Sequence, residues 1–326
     1  MNFKRLIASL LLILLALGLA ACNGADSQET QAVAEDSEAA TEKSTKKGST
    51  QKETEPPVAL ENTEGLDLGI KILSQNLCIG DRPYGSIKER SQRFAALLAD
   101  RSPDIVGTQE GSFEWSTYLD DMEGYGAVGI SSEGKRAKSG EWNMILYKKD
   151  RFVLMDSGNF WLSGTPNSSS HNPNSFASRV CTWAELFDTY TGRTVIMVNT
   201  RFDNSTEAVR MEQASILVRH LRSELGDRYT QCQIYLTCDL NATYDDGGHT
   251  YLYERAYIDA RDLAQEDLSV GKGTYHAFGK IEGGKETSFC FHRGNDTVSS
   301  YEIVDKSYNG YVSDHYGILV TFEMAK

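Results

Sequence analysis

Short apolar runs separated by polar and Gly-containing segments predict a series of β-strands along this chain. Strands are expected at residues 69–77, 104–110, 141–148, 234–236, 287–292, 300–304 and 317–323. Two further runs, 179–188 and 194–200, flank the sequence Thr191-Gly192-Arg193 and predict a β-hairpin. Together with the helical segments between them, these strands are typical of an α/β domain.

Amphipathic segments between the strands predict helices. Residues 87–101 have a helical apolar face, and Ser86 is the expected N-cap. A long helix is expected after Asn204, which with Glu207 has the spacing of a capping box. Its buried stripe is predicted to contain Met211, Ala214, Leu217, Leu221 and Leu225. A further helix is predicted over 251–264.

The stretch 233–242 ends an apolar run with an acid and an amide two residues apart, Asp239 and Asn241. Alternation along an extended chain would place both side chains on the same side. There a carboxylate could take a proton from water, and a carboxamide could donate to an anionic oxygen. Asp and Asn are also common turn formers after a strand, so the stretch alone favours a structural role.

The N-terminus has the pattern of a secretory signal. Lys4 and Arg5 precede the apolar run 6–21, which is short for a membrane span. The run ends in Leu-Ala-Ala-Cys, similar to a bacterial lipobox, so residues 1–22 are predicted to be a signal peptide that leaves Cys22 lipidated. An uncleaved anchor is the alternative. Either way, the protein is expected to work outside the cytoplasm, attached to a bacterial cell membrane.

A polar segment separates this signal from the folded part. Residues 23–65 are rich in Ser, Thr, Glu, Lys, Gln and Ala and contain almost no large apolar residue, so a flexible tether is predicted. The domain is expected to occupy residues 66–326, a length that suits one α/β domain.

The charge argues against a general nuclease, although it leaves room for a local basic pocket, and the cysteine spacing does not indicate a disulfide framework or a zinc site. The formal net charge is -13 and the isoelectric point about 5.0, whereas a protein that binds duplex nucleic acid non-specifically normally has a basic face. The cysteines after Cys22 lack CxxC spacing, and Cys232 and Cys238 would be too far apart on one strand to form a disulfide. Buried free thiols are therefore expected, rather than a disulfide framework or a zinc site.

Other polar residues stand at predicted strand ends. Asn76 lies near the end of the first strand, and Glu110 ends the second. Asp314 and His315 come just before the last strand. Because α/β folds tend to build sites at the carboxyl ends of their strands, these residues join Asp239 and Asn241 as candidates for one site.

The order and spacing of these motifs resemble the endonuclease/exonuclease/phosphatase superfamily, the fold of pancreatic deoxyribonuclease, and most closely a bacterial branch of secreted or lipid-anchored proteins. The resemblance runs from about residue 70 to 323. Its carriers are the segments 74–76, 103–110, 179–183, 199–203, 239–242, 273–276 and 313–315. It implies a deoxyribonuclease-I-like α/β fold, a four-layer sandwich of two mixed β-sheets flanked by helices.

The resemblance also implies a role for each candidate. Glu110, supported by Asn76, would hold a divalent cation, Mg2+ or else Mn2+, and Asp314 would assist the metal or the neighbouring histidine. Asp239 would orient or deprotonate the attacking water. The phosphate would be bound by Asn241 and by His315, which would also stabilise charge in the transition state.

Two positions depart from the superfamily pattern. Arg201 stands where the catalytic motif usually has His; an Arg could still neutralise a phosphate, but it is longer and cannot exchange protons. Ser288 stands where a strand usually carries Asp, and a Ser cannot support an imidazolium or bind a cation as a carboxylate does. His292, four residues further on, is too distant to substitute.

Three hypotheses follow. The leading one is a metal-dependent phosphoesterase that cleaves a phosphodiester or phosphomonoester of unknown identity outside the cytoplasm. The alternative is a lipid-anchored binding protein that keeps the fold but has lost turnover through Arg201 and Ser288, because losing groups that act as a unit removes most of the rate enhancement. The third is an unrelated α/β surface protein, which a clustering of Asn76, Glu110 and Asp239 with His315 in one cleft would exclude.

Overall fold

Two mixed β-sheets form the centre of the fold. The computed structural model describes residues 56–135 and 137–325. The predicted signal peptide, Cys22 and the tether up to residue 55 lie outside the described residues. Residues 56–65 contain no helix or strand, and the amide of Leu60 donates to the carbonyl of Thr189 (2.8 Å). Within the described part, no helix is long and apolar enough to cross a membrane.

The secondary structure follows the predicted alternation. The strands are β1 (Ile70–Asn76), β2 (Ile105–Gly111), β3 (Tyr125–Ser131), β4 (Trp142–Lys148), β5 (Phe152–Trp161), β6 (Val180–Asp188), β7 (Arg193–Arg201), β8 (Gln233–Asp239), β9 (Ile258–Asp259), β10 (Glu266–Asp267), β11 (Ser288–Arg293), β12 (Thr297–Val304) and β13 (Gly317–Glu323). The helices are α1 (Ile87–Arg101), α2 (Phe113–Asp120), α3 (Glu207–Leu225), α4 (Arg228–Gln231), α5 (Gly247–Tyr253) and α6 (Ala260–Leu263).

The sheet topology brings four strand ends together. One sheet has the strand order β10-β12-β13-β1-β2-β4-β3, and the other has the order β5-β6-β7-β8-β11-β9. In the first sheet β1 and β2 are parallel neighbours, and in the second β7 and β8 are. Parallel neighbouring strands have their carboxyl ends at the same edge of a sheet. The carboxyl ends of β1 and β2 therefore lie together in the first sheet, and those of β7 and β8 lie together in the second.

Helices cover the outer faces of both sheets. Apolar side chains of the two sheets pack against each other, as Ile72 and Ile105 of one do with Met197 and Tyr235 of the other. A second cluster lies under α1 and α2, and a third under α3. This arrangement confirms the predicted four-layer sandwich.

A buried polar layer joins the sheets close to the shared edge. The Asn199 amide donates to the carbonyl of Thr108 (2.8 Å), and its oxygen accepts from Gln109 Nε2 (2.7 Å) and Thr237 Oγ1 (3.0 Å). A Cβ added at Gly107 would lie only 1.9 Å from Thr237 Oγ1, so the sheets approach each other through a position without a side chain. This layer fixes the relative position of the strand ends.

Some local predictions were wrong. Helix α3 is capped by Thr206, whose side chain accepts from the amide of Val209, and not by Asn204; Glu207 instead accepts from the amide of Gly247 at the start of α5. Met211 is 42% exposed and does not belong to the buried stripe.

The single helix predicted over 251–264 is also wrong. The chain turns after α5, with Ala256 at a positive φ of 63°, and Tyr257 becomes fully buried. Strand β9 then pairs with β11 before the short helix α6 begins. Neither α2 nor β3 was predicted from the sequence.

Candidate active site

Asn76 connects the ends of the two sheets at the shared edge. Its Nδ2 atom donates to Glu110 Oε1 (3.0 Å) at the end of β2 and to Asp239 Oδ2 (2.9 Å) at the end of β8. Its Oδ1 atom accepts from the backbone amide of Cys78 (2.8 Å). The side chain therefore presents its NH2 group, and not its oxygen, to the two acids.

Arg201 lies between the acidic groups. Its Nη2 atom is 2.5 Å from Glu110 Oε1, its Nη1 atom 2.8 Å from Glu141 Oε1, and its Nε atom 3.1 Å from Asp239 Oδ2. Nη2 also donates to Asn241 Oδ1 (3.0 Å). Burial opposes the charge on the guanidinium, but the three carboxylates outweigh it and raise the pKa of Arg201 well above its usual value.

Asp239 is enclosed by donors. It is 0% exposed, and it accepts from Asn76, from Arg201 and from the backbone amide of Asn241 (3.0 Å). Burial raises the pKa of this carboxyl, but Arg201, the nearby His315 and the hydrogen bonds together lower it below the usual value. A carboxylate in this setting is charged and is a weak base.

Two site residues have a left-handed backbone. Glu110 and Asn241 both have a φ of 54°, and Glu110 lies at a β-bulge where the register of β2 against β4 shifts. Such a conformation costs free energy for a residue with a Cβ, and it persists where the surrounding structure imposes it. Asn241 thus does not continue the strand as predicted. Its amide is engaged, because Nδ2 donates to the carbonyl of Phe202 (2.7 Å).

His315 and Ser288 each hold a buried polar atom without a partner among the described residues. These atoms are His315 Nδ1 and Ser288 Oγ. Ser288 lies directly opposite Asp239 in the antiparallel pair of β11 and β8, and His315 is close enough to influence the charge of Asp239. The predicted strand placement of Ser288 is therefore confirmed, and its hydroxyl makes no described hydrogen bond to the imidazole.

Asp314 is oriented towards its own loop. Its Oδ1 atom accepts from Ser313 Oγ (3.1 Å), and its backbone carbonyl accepts from the amides of His276 and Ala277. No described contact joins its carboxylate to Asn76 or Glu110. The structure thus brings together Asn76, Glu110, Arg201, Asp239 and Asn241, with His315 alongside, and no described hydrogen bond or ion pair joins the Asp314 carboxylate to them.

Sequence reasoning missed Glu141 and the site role of Arg179. Glu141 stands just before β4, the neighbour of β2, and its two oxygens bind Arg201 and Arg179 (2.5 Å to Arg179 Nη1). Arg179 also pairs with the buried Asp203 (3.0 Å). The position of Glu141 at the start of a predicted strand was the only indication of its role in the sequence. The order of the strands in the sheet is what places Glu141 beside Glu110.

The resemblance predicts a divalent cation at Glu110. Glu110, Glu141 and Asp239 offer six carboxylate oxygens, and five of them accept a described contact, which leaves Glu110 Oε2. Within residues 56–135 and 137–325, no group of three or more His, Cys, Asp or Glu is arranged to hold a metal ion. In this arrangement the residues do not fit the predicted cation.

The fold matches solved structures, although neither a protein-family profile nor a curated protein matches the chain in sequence. An endonuclease/exonuclease/phosphatase from Bacteroides vulgatus is 25% identical, with a TM-score of 0.73 over 79% of this chain and 100% of that one. A mannosyl-6-phosphatase from Bacteroides thetaiotaomicron is 20% identical, with a TM-score of 0.71 over 78% and 100% of the two chains. The human Nocturnin catalytic domain with bound sulfate is 16% identical, with a TM-score of 0.63 over 79% and 95%.

These likenesses agree with the motifs. The sandwich architecture is shared with the solved structures, and the motif residues at strand ends converge on one edge as the resemblance predicted. The fold is that of endonuclease/exonuclease/phosphatase family proteins of known structure, and the order of the motifs along the chain agrees with this likeness.

Proposed function

We propose that this chain is an extracytoplasmic, lipid-anchored member of the superfamily that keeps the phosphoesterase framework but binds its ligand without hydrolysing it. The observation that carries the proposal is the simultaneous contact of Arg201 with Glu110, Glu141 and Asp239. Arg201 thus forms ion pairs with the carboxylates that would be needed to bind a metal ion and to activate water.

The state of Asp239 supports this proposal. A general base must lie within hydrogen-bond reach of the water that it deprotonates, and it works best with a pKa near the operating pH. Asp239 is fully buried, makes three hydrogen bonds and has a lowered pKa. Water could reach it only if the guanidinium of Arg201 moved away.

The surroundings of His315 support it as well. An imidazole acts in phosphate chemistry when a partner fixes its orientation and stabilises its charged form, as a carboxylate commonly does. Here Nδ1 of His315 has no described partner, and the residue opposite Asp239 is Ser288. Within residues 56–135 and 137–325, no carboxylate accepts from Nδ1 to orient the imidazole.

The ligand class expected from the resemblance is a phosphate ester. Around Arg201 and Arg179, the four carboxylates of Glu110, Glu141, Asp203 and Asp239 face only these two guanidinium groups, which leaves the centre negative. We therefore place a phosphate group beside this centre, where the exposed Arg82 and the buried His315 supply basic groups and Asp314 supplies one carboxylate. Non-specific binding of duplex nucleic acid does not suit the net charge of -13.

Hydrolysis of bis- and mono-p-nitrophenyl phosphate in Mg2+ or Mn2+ tests the proposal. The wild type, the Glu110→Ala variant and the double variant Arg201→His/Ser288→Asp would be compared. We expect metal-dependent turnover only in the double variant, which restores the usual His and Asp. If the wild type hydrolyses these esters and the Glu110→Ala variant does not, the proposal that the chain has lost activity is refuted.

A metal-dependent phosphoesterase is the second candidate. The left-handed backbone of Glu110 and Asn241 favours it, because strained conformations are concentrated at working sites. So does the retention of Asn76, Asp239 and His315 at one edge. It would require Arg201 to leave the carboxylates, and the same assay distinguishes it from the first candidate.

A further inference from the structure

We infer that the guanidinium of Arg201 is a built-in cation that fills, from within the chain, the position at Glu110 where the superfamily resemblance expects a divalent metal ion, and that it also binds Asp239 there. The inference shares Arg201 with the proposed function, but it concerns cation binding and not turnover. A divalent cation must therefore compete with Arg201 for the same oxygens.

The contacts of the guanidinium define this position. Nη2 and Nε of one side chain reach Glu110 Oε1 and Asp239 Oδ2, the same two oxygens that accept from Asn76 Nδ2. Nη1 reaches a third carboxylate, that of Glu141. A positive group that contacts three carboxylates at once occupies the place where a cation would find its oxygen ligands.

The strand register holds the side chain in place. Arg201 is the last residue of β7 and lies beside Asp239, the last residue of β8, in the parallel pair. The residue is only 9% exposed. An Arg suits this task because its planar group stays charged at every physiological pH and carries several donors in a fixed geometry. The shorter His of the superfamily pattern provides fewer donors.

The same contacts predict what removal of the guanidinium would do. Without it, Glu110 Oε1, Glu141 Oε1 and Asp239 Oδ2 lose their charged partner and leave three carboxylate oxygens around one place. Oxygen ligands of this type suit Mg2+ and Mn2+. Removing Arg201 should therefore create a cation site that the wild type lacks.

Calorimetric titration of the purified full-length chain with MnCl2 tests the inference, with thermal unfolding as a second readout. Arg201→Met keeps an apolar stem of similar length without the charge. We expect it to bind Mn2+ about ten-fold or more tightly than the wild type does, and to show a saturable rise in melting temperature. The double variant Arg201→Met/Glu110→Gln should lose this gain. Arg255→Met, which removes an exposed ion pair with Glu254, should bind as weakly as the wild type.

Equal Mn2+ affinity in the wild type and in Arg201→Met would overturn the inference. If Arg201→Met does not fold, the wild type and Glu110→Gln are compared by the electron paramagnetic resonance of bound Mn2+. No Glu110-dependent signal is then expected, and a tight Glu110-dependent site in the wild type overturns the inference. The two proposals fail separately, because a wild type that hydrolyses esters without binding Mn2+ would contradict only the proposed function.

Discussion

Replacement of Arg201 by Met should destabilise the protein strongly and in a pH-dependent way. The change removes the charged partner of Asp239, which is 0% exposed, and of Glu110 and Glu141. Breaking a buried ion pair by removing one partner costs about 3–5 kcal/mol. Domains are typically stable by only about 5–15 kcal/mol, so the variant would lose a large part of its free energy of unfolding.

The pH dependence follows from Asp239. In the wild type its pKa is lowered in the folded state despite burial, so it contributes stability at neutral pH that is lost only as the pH falls through its ordinary range and below. Without Arg201, burial dominates and raises the folded pKa above the unfolded value. The loss of stability caused by burying the charged Asp239 carboxylate then becomes smaller as the pH falls through that raised pKa. The reduction is at most about 1.4 kcal/mol for each unit by which the folded pKa exceeds the unfolded value.

Urea unfolding of the wild type and Arg201→Met at pH 8 and pH 5, in buffer without divalent cations, measures both effects. The free-energy difference between the two proteins should be smaller at pH 5. Arg255→Met serves as the control, because its exposed ion pair is worth at most about 1 kcal/mol. A loss below about 1 kcal/mol in Arg201→Met, or an equal loss at both pH values, would refute the reasoning.

Three further predictions concern other parts of the fold. Gly107→Ala should cost about 3 kcal/mol in urea unfolding, because the added Cβ would meet Thr237 Oγ1 at 1.9 Å between the sheets; an unchanged midpoint would contradict this close approach. Tyr235→Phe should cost about 1–3 kcal/mol, since its hydroxyl donates to the buried Asp296 (2.5 Å), and a neutral result would show that the bond contributes nothing. His276, whose pKa burial and the nearby His315 lower to about 4, should keep its ring proton shifts between pH 8 and pH 5.5 in NMR spectra, and a titration near pH 6.5 would be inconsistent with its burial.

Local sequence patterns were sufficient to predict the helices and strands whose formation depends mainly on their own residues. Helix α1 begins and ends at the predicted residues, and Ser86 caps it through a full capping box with Glu89. Strand β13 likewise matches its prediction, because a run of apolar residues that is buried on both faces is visible in the sequence. The prediction over 251–264 failed because pairing of β9 with β11 and burial of Tyr257 override helical propensity there.

The sequence by itself determined the fold class, most of the strands and the residue types at the site. It also identified Arg201 and Ser288 as the positions that depart from the superfamily pattern. These features lie in single residues and short motifs, so they can be recognised without knowing what packs against them.

Only the tertiary structure decided how those residues are used. It placed Glu141 beside Glu110 through the pairing of β4 with β2, and it directed Arg201 into three carboxylates that come from three different strand ends. Long-range contacts of this kind arise from sheet order and from the approach of the two sheets, which no local pattern encodes. For that reason the sequence could predict a site for a cation, whereas the fold shows a guanidinium between the acids.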